Sequence, residues 1–94
     1  MTQLWPEGAP VDVEMSDDRP HVLRWQGRRH LHRAAGEAQV AHVHSVTDRW
    51  LIHDDGWRDE IWRHYFQLQT TDGLLCVVYR DMLRDTWYME RIYD

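Results

Sequence analysis

The chain has 94 residues, of which 43% are hydrophobic, and a formal net charge of −5. This length predicts a single domain, and no apolar run reaches the roughly 18 residues of a membrane-spanning helix. The N-terminal residues lack the basic start and apolar core of a signal peptide, and the single cysteine excludes an internal disulfide, so a cytoplasmic protein is expected.

The N-terminal residues divide into two parts. Residues 1–9 contain Pro6 and Gly8 and show no periodicity, which predicts a flexible tail with Trp5 as its only anchor. From Pro10 to Met15, apolar and acidic residues alternate, as they do in a half-buried strand. Residues 10–94 are therefore predicted to form one small β domain.

A basic hairpin is predicted next, with Gly27 in its turn. Residues 19–33 carry a net charge of +5, whereas residues 1–18 and residues 34–94 each carry −5. Small β barrels often bind single-stranded nucleic acid through a basic groove and stacking aromatic rings. The residues predicted to bind a protein partner or nucleic acid are Arg24, Trp25, Arg28, Arg29 and Arg33, with Trp57 further along the chain.

The negative charge of residues 1–18 and 34–94 favours a protein partner over nucleic acid. Phosphate attraction dominates affinity for nucleic acid, so an acidic protein is expected to bind it weakly. The arginine face of the hairpin is instead expected to contact the acidic N-terminal strand or a protein partner.

The middle of the chain is less regular. Residues 39–52 predict one long bent strand or two short ones. Trp57, Ile61 and Tyr65 are spaced by four, which suits a short helical turn near residues 56–64; an irregular crossover loop is the alternative.

Three groups of reactive side chains are candidate sites. The pairs His30/His32 and His42/His44 each place two imidazoles on one face of a strand, and their convergence on a metal would need neighbouring strands. Exposed histidines are the commoner case, so no metal or other cofactor is expected. The acids of residues 54–60 lie in a loop where solvated charge is usual, and Cys76 lies in an apolar strand, so no catalytic residue and no enzymatic activity are predicted.

The C-terminal part predicts a meander of three strands. Thr71-Asp72-Gly73 suits a tight turn, residues 74–79 are a continuous apolar run typical of a central strand, and residues 86–93 return as the last strand. The fold class predicted is all-β, a small antiparallel barrel or strongly curved sheet of SH3-like or OB-like type. The expected core contains Trp62, Phe66, Leu75, Val77, Tyr79 and Trp87.

A family resemblance lies in the same residues. The string WRDEIWRHYF at residues 57–66, Asp72-Gly73, Tyr79-Arg80-Asp81, Trp87-Tyr88 and the final RIYD resemble a family of small uncharacterised bacterial proteins. That family is similar to the C-terminal segment of ImuB, the catalytically inactive relative of Y-family polymerases in mutagenic repair. The function predicted is a non-enzymatic protein-interaction module, and the resemblance implies a setting accessory to DNA damage tolerance or translesion synthesis. The alternative function is a small barrel that binds single-stranded nucleic acid through the basic hairpin 19–33.

Overall fold

The computed structural model describes residues 2–26, 38–56 and 59–93, and six antiparallel strands make up their regular structure. Each strand pairs with its neighbours in sequence, and the first pairs with the last, so the sheet closes into a barrel. The predicted small antiparallel barrel is thus confirmed, in an up-and-down order that differs from the Greek-key order of an OB-fold. The strands are β1 (Gln3–Ser16), β2 (Arg19–Gln26), β3 (Ala38–Asp54), β4 (Ile61–Thr70), β5 (Leu75–Asp81) and β6 (Thr86–Tyr93).

Two long strands close the barrel by changing partners along their length. The first part of β1 pairs with β6 as far as Pro10, and the rest pairs with β2 from Val11 onward. Similarly, β3 pairs with β2 from Ala38 to His42 and with β4 from Val43 onward. Register shifts interrupt both strands, and such bulges bend a strand enough to pass from one sheet to the next. The stretch of residues 39–52 is therefore one long bent strand.

The interior of the barrel is filled by apolar side chains from all six strands. Leu23, Leu68, Val78 and Met89 are completely buried there. Phe66 packs among them, with its ring centroid 5.5 Å from that of Trp87. The buried members of this cluster are Val11, Leu23, Trp25, Ala41, Phe66, Leu68, Cys76, Val78, Met89 and Ile92.

The predicted core residues differ in their positions. Phe66 is buried inside the barrel, whereas Val77 and Tyr79 are buried in a second cluster with Tyr65. Trp62 contradicts the prediction, because 37% of its surface is exposed. Trp62 is the second residue of β4. The pairing of β4 with β5 begins only at the following residue, Arg63, so β5 does not pair beside Trp62.

The N-terminal segment is a strand from Gln3 onward and not the predicted tail. Gln3 and Leu4 pair with β6, and pairing resumes at Ala9 after a register shift. This irregularity removes the alternation of apolar and polar residues on which the prediction of a strand depends. Gly8, within the irregular part, has a φ of +79° and lies against the rings of two tyrosines on the outside of the barrel.

The helical turn predicted near residues 56–64 does not occur in the described part of that range. Residues 59 and 60 have no regular structure, and β4 begins at Ile61. A spacing of four also keeps two residues on one face of a strand, because four is a multiple of the two-residue repeat. Ile61 and Tyr65 therefore share a face without a helix. None of the described segments forms a helix that could span a bilayer.

Candidate interaction surface

A row of aromatic side chains crosses the outer face of the barrel. Trp50, Tyr65, Tyr79 and Tyr88 are direct cross-strand partners on β3, β4, β5 and β6, and we call this row the aromatic ladder. Successive ring centroids are 5.3, 5.0 and 5.3 Å apart, and the first two rings are nearly parallel. Cross-strand aromatic pairs of this kind stabilise a sheet. The ladder thus fixes the positions of four strands on the outside of the barrel.

The ladder is packed and offers little open ring surface. Tyr65 and Tyr79 are 6% and 4% exposed. The guanidinium group of Arg63 lies 4.7 Å from the centroid of Tyr79 and donates a 3.3 Å hydrogen bond to the Tyr65 hydroxyl. That hydrogen bond raises the pKa of Arg63, and burial raises the pKa of Tyr79. A nucleotide base could not stack on these two tyrosines without displacing their neighbours.

Large apolar side chains are exposed at one end of the ladder. Leu51 is 58% exposed, Ile52 is 41% exposed, and Trp50 and Trp62 are each 37% exposed. Trp50 and Ile52 share the outer face of β3, and Leu51 lies on its opposite face, because side chains alternate along a strand. Trp62 lies on the same face as Leu51, since it is the cross-strand partner of His53. We call these four residues the apolar edge patch.

Acidic residues surround the apolar edge patch. Asp48 and Asp54 flank it on β3, and Asp55, Asp59 and Glu60 follow in the connection to β4; all five are exposed. Arg49 and Arg63 are the basic residues of the described chain that belong to the same paired segment of β3 and β4. The surface around the patch is therefore predominantly negative.

His53 joins two of these acids across the β3–β4 connection. Its Nε2 atom lies 2.9 Å from Glu60 Oε2 and 3.1 Å from Asp55 Oδ1. The hydrogen bond with Glu60, together with the charge of Asp55, raises the pKa of His53. These three side chains could ligate a divalent cation, since their donor atoms lie within 4.8 Å of one another, but all three are exposed. Hydrogen bonding to a protonated imidazole already accounts for the arrangement.

Of the predicted binding residues, the structure describes two, Arg24 and Trp25, which lie on opposite faces of β2. Arg24 forms a 3.0 Å ion pair with Glu14 of β1, which confirms for this residue the predicted contact with the acidic N-terminal strand. Trp25 is a correction, because it is 9% exposed and packs inside the barrel, so its ring is not free to stack on a base. Its position in β2 alternates with exposed neighbours, and the inward face of the strand is the apolar one. The predictions for Arg28, Arg29, Arg33 and Trp57, and for His30 and His32, lie outside the described residues.

The remaining candidate groups have ordinary surroundings. His42 and His44 are exposed. Cys76 is 2% exposed, as its apolar strand predicted, and burial raises the pKa of its thiol to about 12. A thiol in that state behaves as a small hydrophobic side chain. No family model, curated protein or solved structure matches this chain.

The apolar edge patch itself was not predicted. Residues 50–52 were interpreted only as strand, and Trp62 as core. A sequence signal was present, since three bulky residues in succession at a strand cannot all face one core.

Proposed function

We propose that this protein is a non-enzymatic protein-interaction module that binds its partner through the apolar edge patch. The observation that carries the proposal is the joint exposure of Trp50, Leu51, Ile52 and Trp62. Trp50 and Ile52 are exposed on the outer face of the strand pair, and Leu51 and Trp62 on the opposite face, so apolar side chains are exposed on both sides of this end of the sheet. Exposed apolar surface with a polar rim is typical of protein-binding sites. Tryptophan is also enriched among the residues that contribute most to binding at protein interfaces.

The partner's surface is expected to be basic. The five acids around the patch would repel a negatively charged partner and attract a positively charged one. Such charges act mainly on the association rate and on the choice of partner, while the apolar contacts supply most of the affinity.

The proposed setting is DNA damage tolerance in the bacterial cytoplasm. The resemblance to the C-terminal segment of ImuB supports the first part, since that resemblance implies an accessory role beside a polymerase. The buried thiol of Cys76, the sole cysteine of the chain, is in keeping with a reducing compartment.

Nucleic-acid binding by the basic hairpin is the second hypothesis and ranks lower. The two predicted binding residues of the hairpin that the structure describes are already engaged, Arg24 with Glu14 and Trp25 with the barrel core. The acids around the patch also disfavour phosphate. The chain's overall charge of −5 acts in the same direction.

Two matched variants on one strand test the proposed function. Leu51→Lys places a charge in the apolar edge patch, and Val40→Lys places one at the far end of β3, where the side chain is similarly exposed at 55%. A partner is first identified by affinity capture from the source cells and then purified for direct titration. Leu51→Lys should weaken its binding by about tenfold or more, as loss of an interface hot spot does, and Val40→Lys should not.

Equal affinity of both variants for the purified partner would overturn the assignment of the patch. Tight binding of a labelled single-stranded oligonucleotide at about 150 mM salt, where surface charges are well screened, would favour the second hypothesis. Both variants should keep the melting temperature of the parent protein, because exposed substitutions of this kind change stability little.

A further inference from the structure

Among the described residues, the edge of β3 beside the apolar edge patch has no pairing partner. From Asp48 to Asp54, this strand pairs with β4 on one side. On the other side, β2 pairs with β3 only from Ala38 to His42, and no described strand pairs with residues 48–54 there. A strand in this position presents backbone N–H and C=O groups that a further strand can bond. One N–H of the segment, that of Arg49, already donates a 2.8 Å hydrogen bond to the Asp48 carboxylate.

The central part of this edge, residues 50–52, carries none of the features that usually block strand addition. Proteins protect sheet edges with bulges, prolines and outward charges. The bulges of β3 lie before Asp48, and the register with β4 is continuous from there to Asp54. The central residues are Trp50, Leu51 and Ile52, all exposed and apolar, and the segment contains no proline.

The charges at the two ends of the edge disfavour a second copy of the chain. If two copies paired antiparallel about Leu51, Asp48 of each would lie directly opposite Asp54 of the other on the outer face. Like charges directly opposite one another destabilise a sheet. Two chains that each carry −5 would also repel one another.

Residues 48–54 also define which sequence would pair best with this edge. Residues 48, 50, 52 and 54 alternate with 49, 51 and 53, so the two aspartates share the outer face with Trp50 and Ile52. A basic residue opposite each aspartate and apolar residues opposite the three central positions would form favourable cross-strand pairs, and the positions opposite Arg49 and His53 are left unspecified. The spacing between the aspartates fixes the two basic residues six positions apart.

We infer that the edge of β3 from Asp48 to Asp54 binds an extended segment of a partner protein by strand addition. The segment has the pattern basic–x–apolar–apolar–apolar–x–basic, which reads the same in both chain directions. Main-chain hydrogen bonds supply affinity in this mode, and alternate side chains supply specificity. The inference rests on the proposed function and names the class of partner for the same site.

A synthetic peptide tests the inference directly. The probe is a fluorescein-labelled peptide with the core lysine–threonine–valine–leucine–valine–threonine–lysine, titrated against the whole chain by fluorescence anisotropy at about 150 mM salt. A control peptide carries glutamate in place of both lysines. The lysine peptide should bind about tenfold or more tightly than the glutamate peptide, and the double variant Asp48→Asn, Asp54→Asn should remove most of that difference.

Hydrogen exchange distinguishes strand addition from docking on a face of the sheet. Every second backbone amide between residues 48 and 54 points away from β4 in an antiparallel pair. At saturating lysine peptide, exchange at those amides should slow by about tenfold or more, while the amides of residues 38–42 stay unchanged. Binding without this alternating protection would overturn strand addition.

Two further outcomes separate this inference from the proposed function. If neither peptide binds while Leu51→Lys still weakens binding of the purified natural partner, the inference fails and the proposed function stands. If both variants bind that partner equally, the proposed function fails too. A concentration-dependent dimer in sedimentation velocity that Leu51→Lys abolishes would instead assign the edge to a second copy of the chain and overturn the inference.

Discussion

Substitution of Gly8 by alanine should destabilise the barrel through two separate effects. The φ of +79° at this residue lies in the left-handed region, where a side chain costs about 1–2 kcal/mol. A Cβ atom would also lie 2.5 Å from the Tyr79 hydroxyl and 2.9 Å from the Cβ of Tyr88, so the irregular part of β1 would have to move off the ladder. Crowding of this kind adds about 1–3 kcal/mol, for a total loss of about 2–5 kcal/mol.

Gly73→Ala is the matched control, because it separates the backbone effect from the crowding. Gly73 has a φ of +89°, but a Cβ atom there would meet nothing within 4 Å. It should therefore lower the free energy of unfolding by the backbone part alone, about 1–2 kcal/mol. Urea denaturation followed by tryptophan fluorescence measures both changes. If Gly8→Ala destabilises the protein no more than Gly73→Ala, Gly8 does not pack against the ladder and the reasoning is wrong.

The other predictions concern titratable side chains. Because burial raises the pKa of Cys76 from 9.0 to about 12, its thiolate fraction at pH 8 should be about a thousandfold lower in the native protein than in the unfolded chain. Native protein should therefore react with Ellman's reagent far more slowly than protein in urea; equal rates would contradict this burial. In NMR titrations, His53 should have a pKa above 6.5, because Glu60 and Asp55 favour its protonated form. His64 should have a pKa below 6.5, because it is partly buried and lies near the positive charge of Arg49. The stabilising contact of His53 is thus present at acidic pH and lost as the pH rises through the folded pKa of His53. Glu60→Gln should lower the pKa of His53 and leave that of His64 unchanged. A shift in the pKa of His64 with none in that of His53 would refute the assignment.

The parts of the fold with regular periodicity were predictable from sequence. The Asp72-Gly73 turn and the apolar run before Tyr79 gave the central hairpin, because local turn chemistry and a two-residue repeat determine it. The start of β1 was not predictable, because the irregularity between Leu4 and Ala9 breaks the alternation on which strand recognition depends. Closure of the barrel through the pairing of β1 with β6 joins the two ends of the chain, and no local pattern records it.

The candidate site was less predictable than the fold, because it depends on which residues the barrel leaves uncovered. Trp25 and Trp62 show the difficulty: the first lies in a basic hairpin yet is buried, and the second resembles a core residue yet is exposed. Their environments are decided by where neighbouring strands end, which is a property of the whole sheet. The aromatic ladder likewise forms only when the registers of three strand pairs, β3 with β4, β4 with β5 and β5 with β6, bring its four residues into line. The sequence shows each of these residues but not the registers.

Trp50 connects the rigid part of the molecule to the proposed binding surface. One face of its ring stacks on Tyr65 at an interplanar angle of 3°, and 37% of the residue remains exposed beside Ile52. A side chain already held in one orientation loses less conformational entropy when a partner covers it. The edge of β3 is held in the same way, because β4 and the ladder fix its backbone before any partner arrives. The loss of conformational entropy on association is then mainly that of the partner's extended segment. A short peptide contains that segment, so it suffices to test the inference.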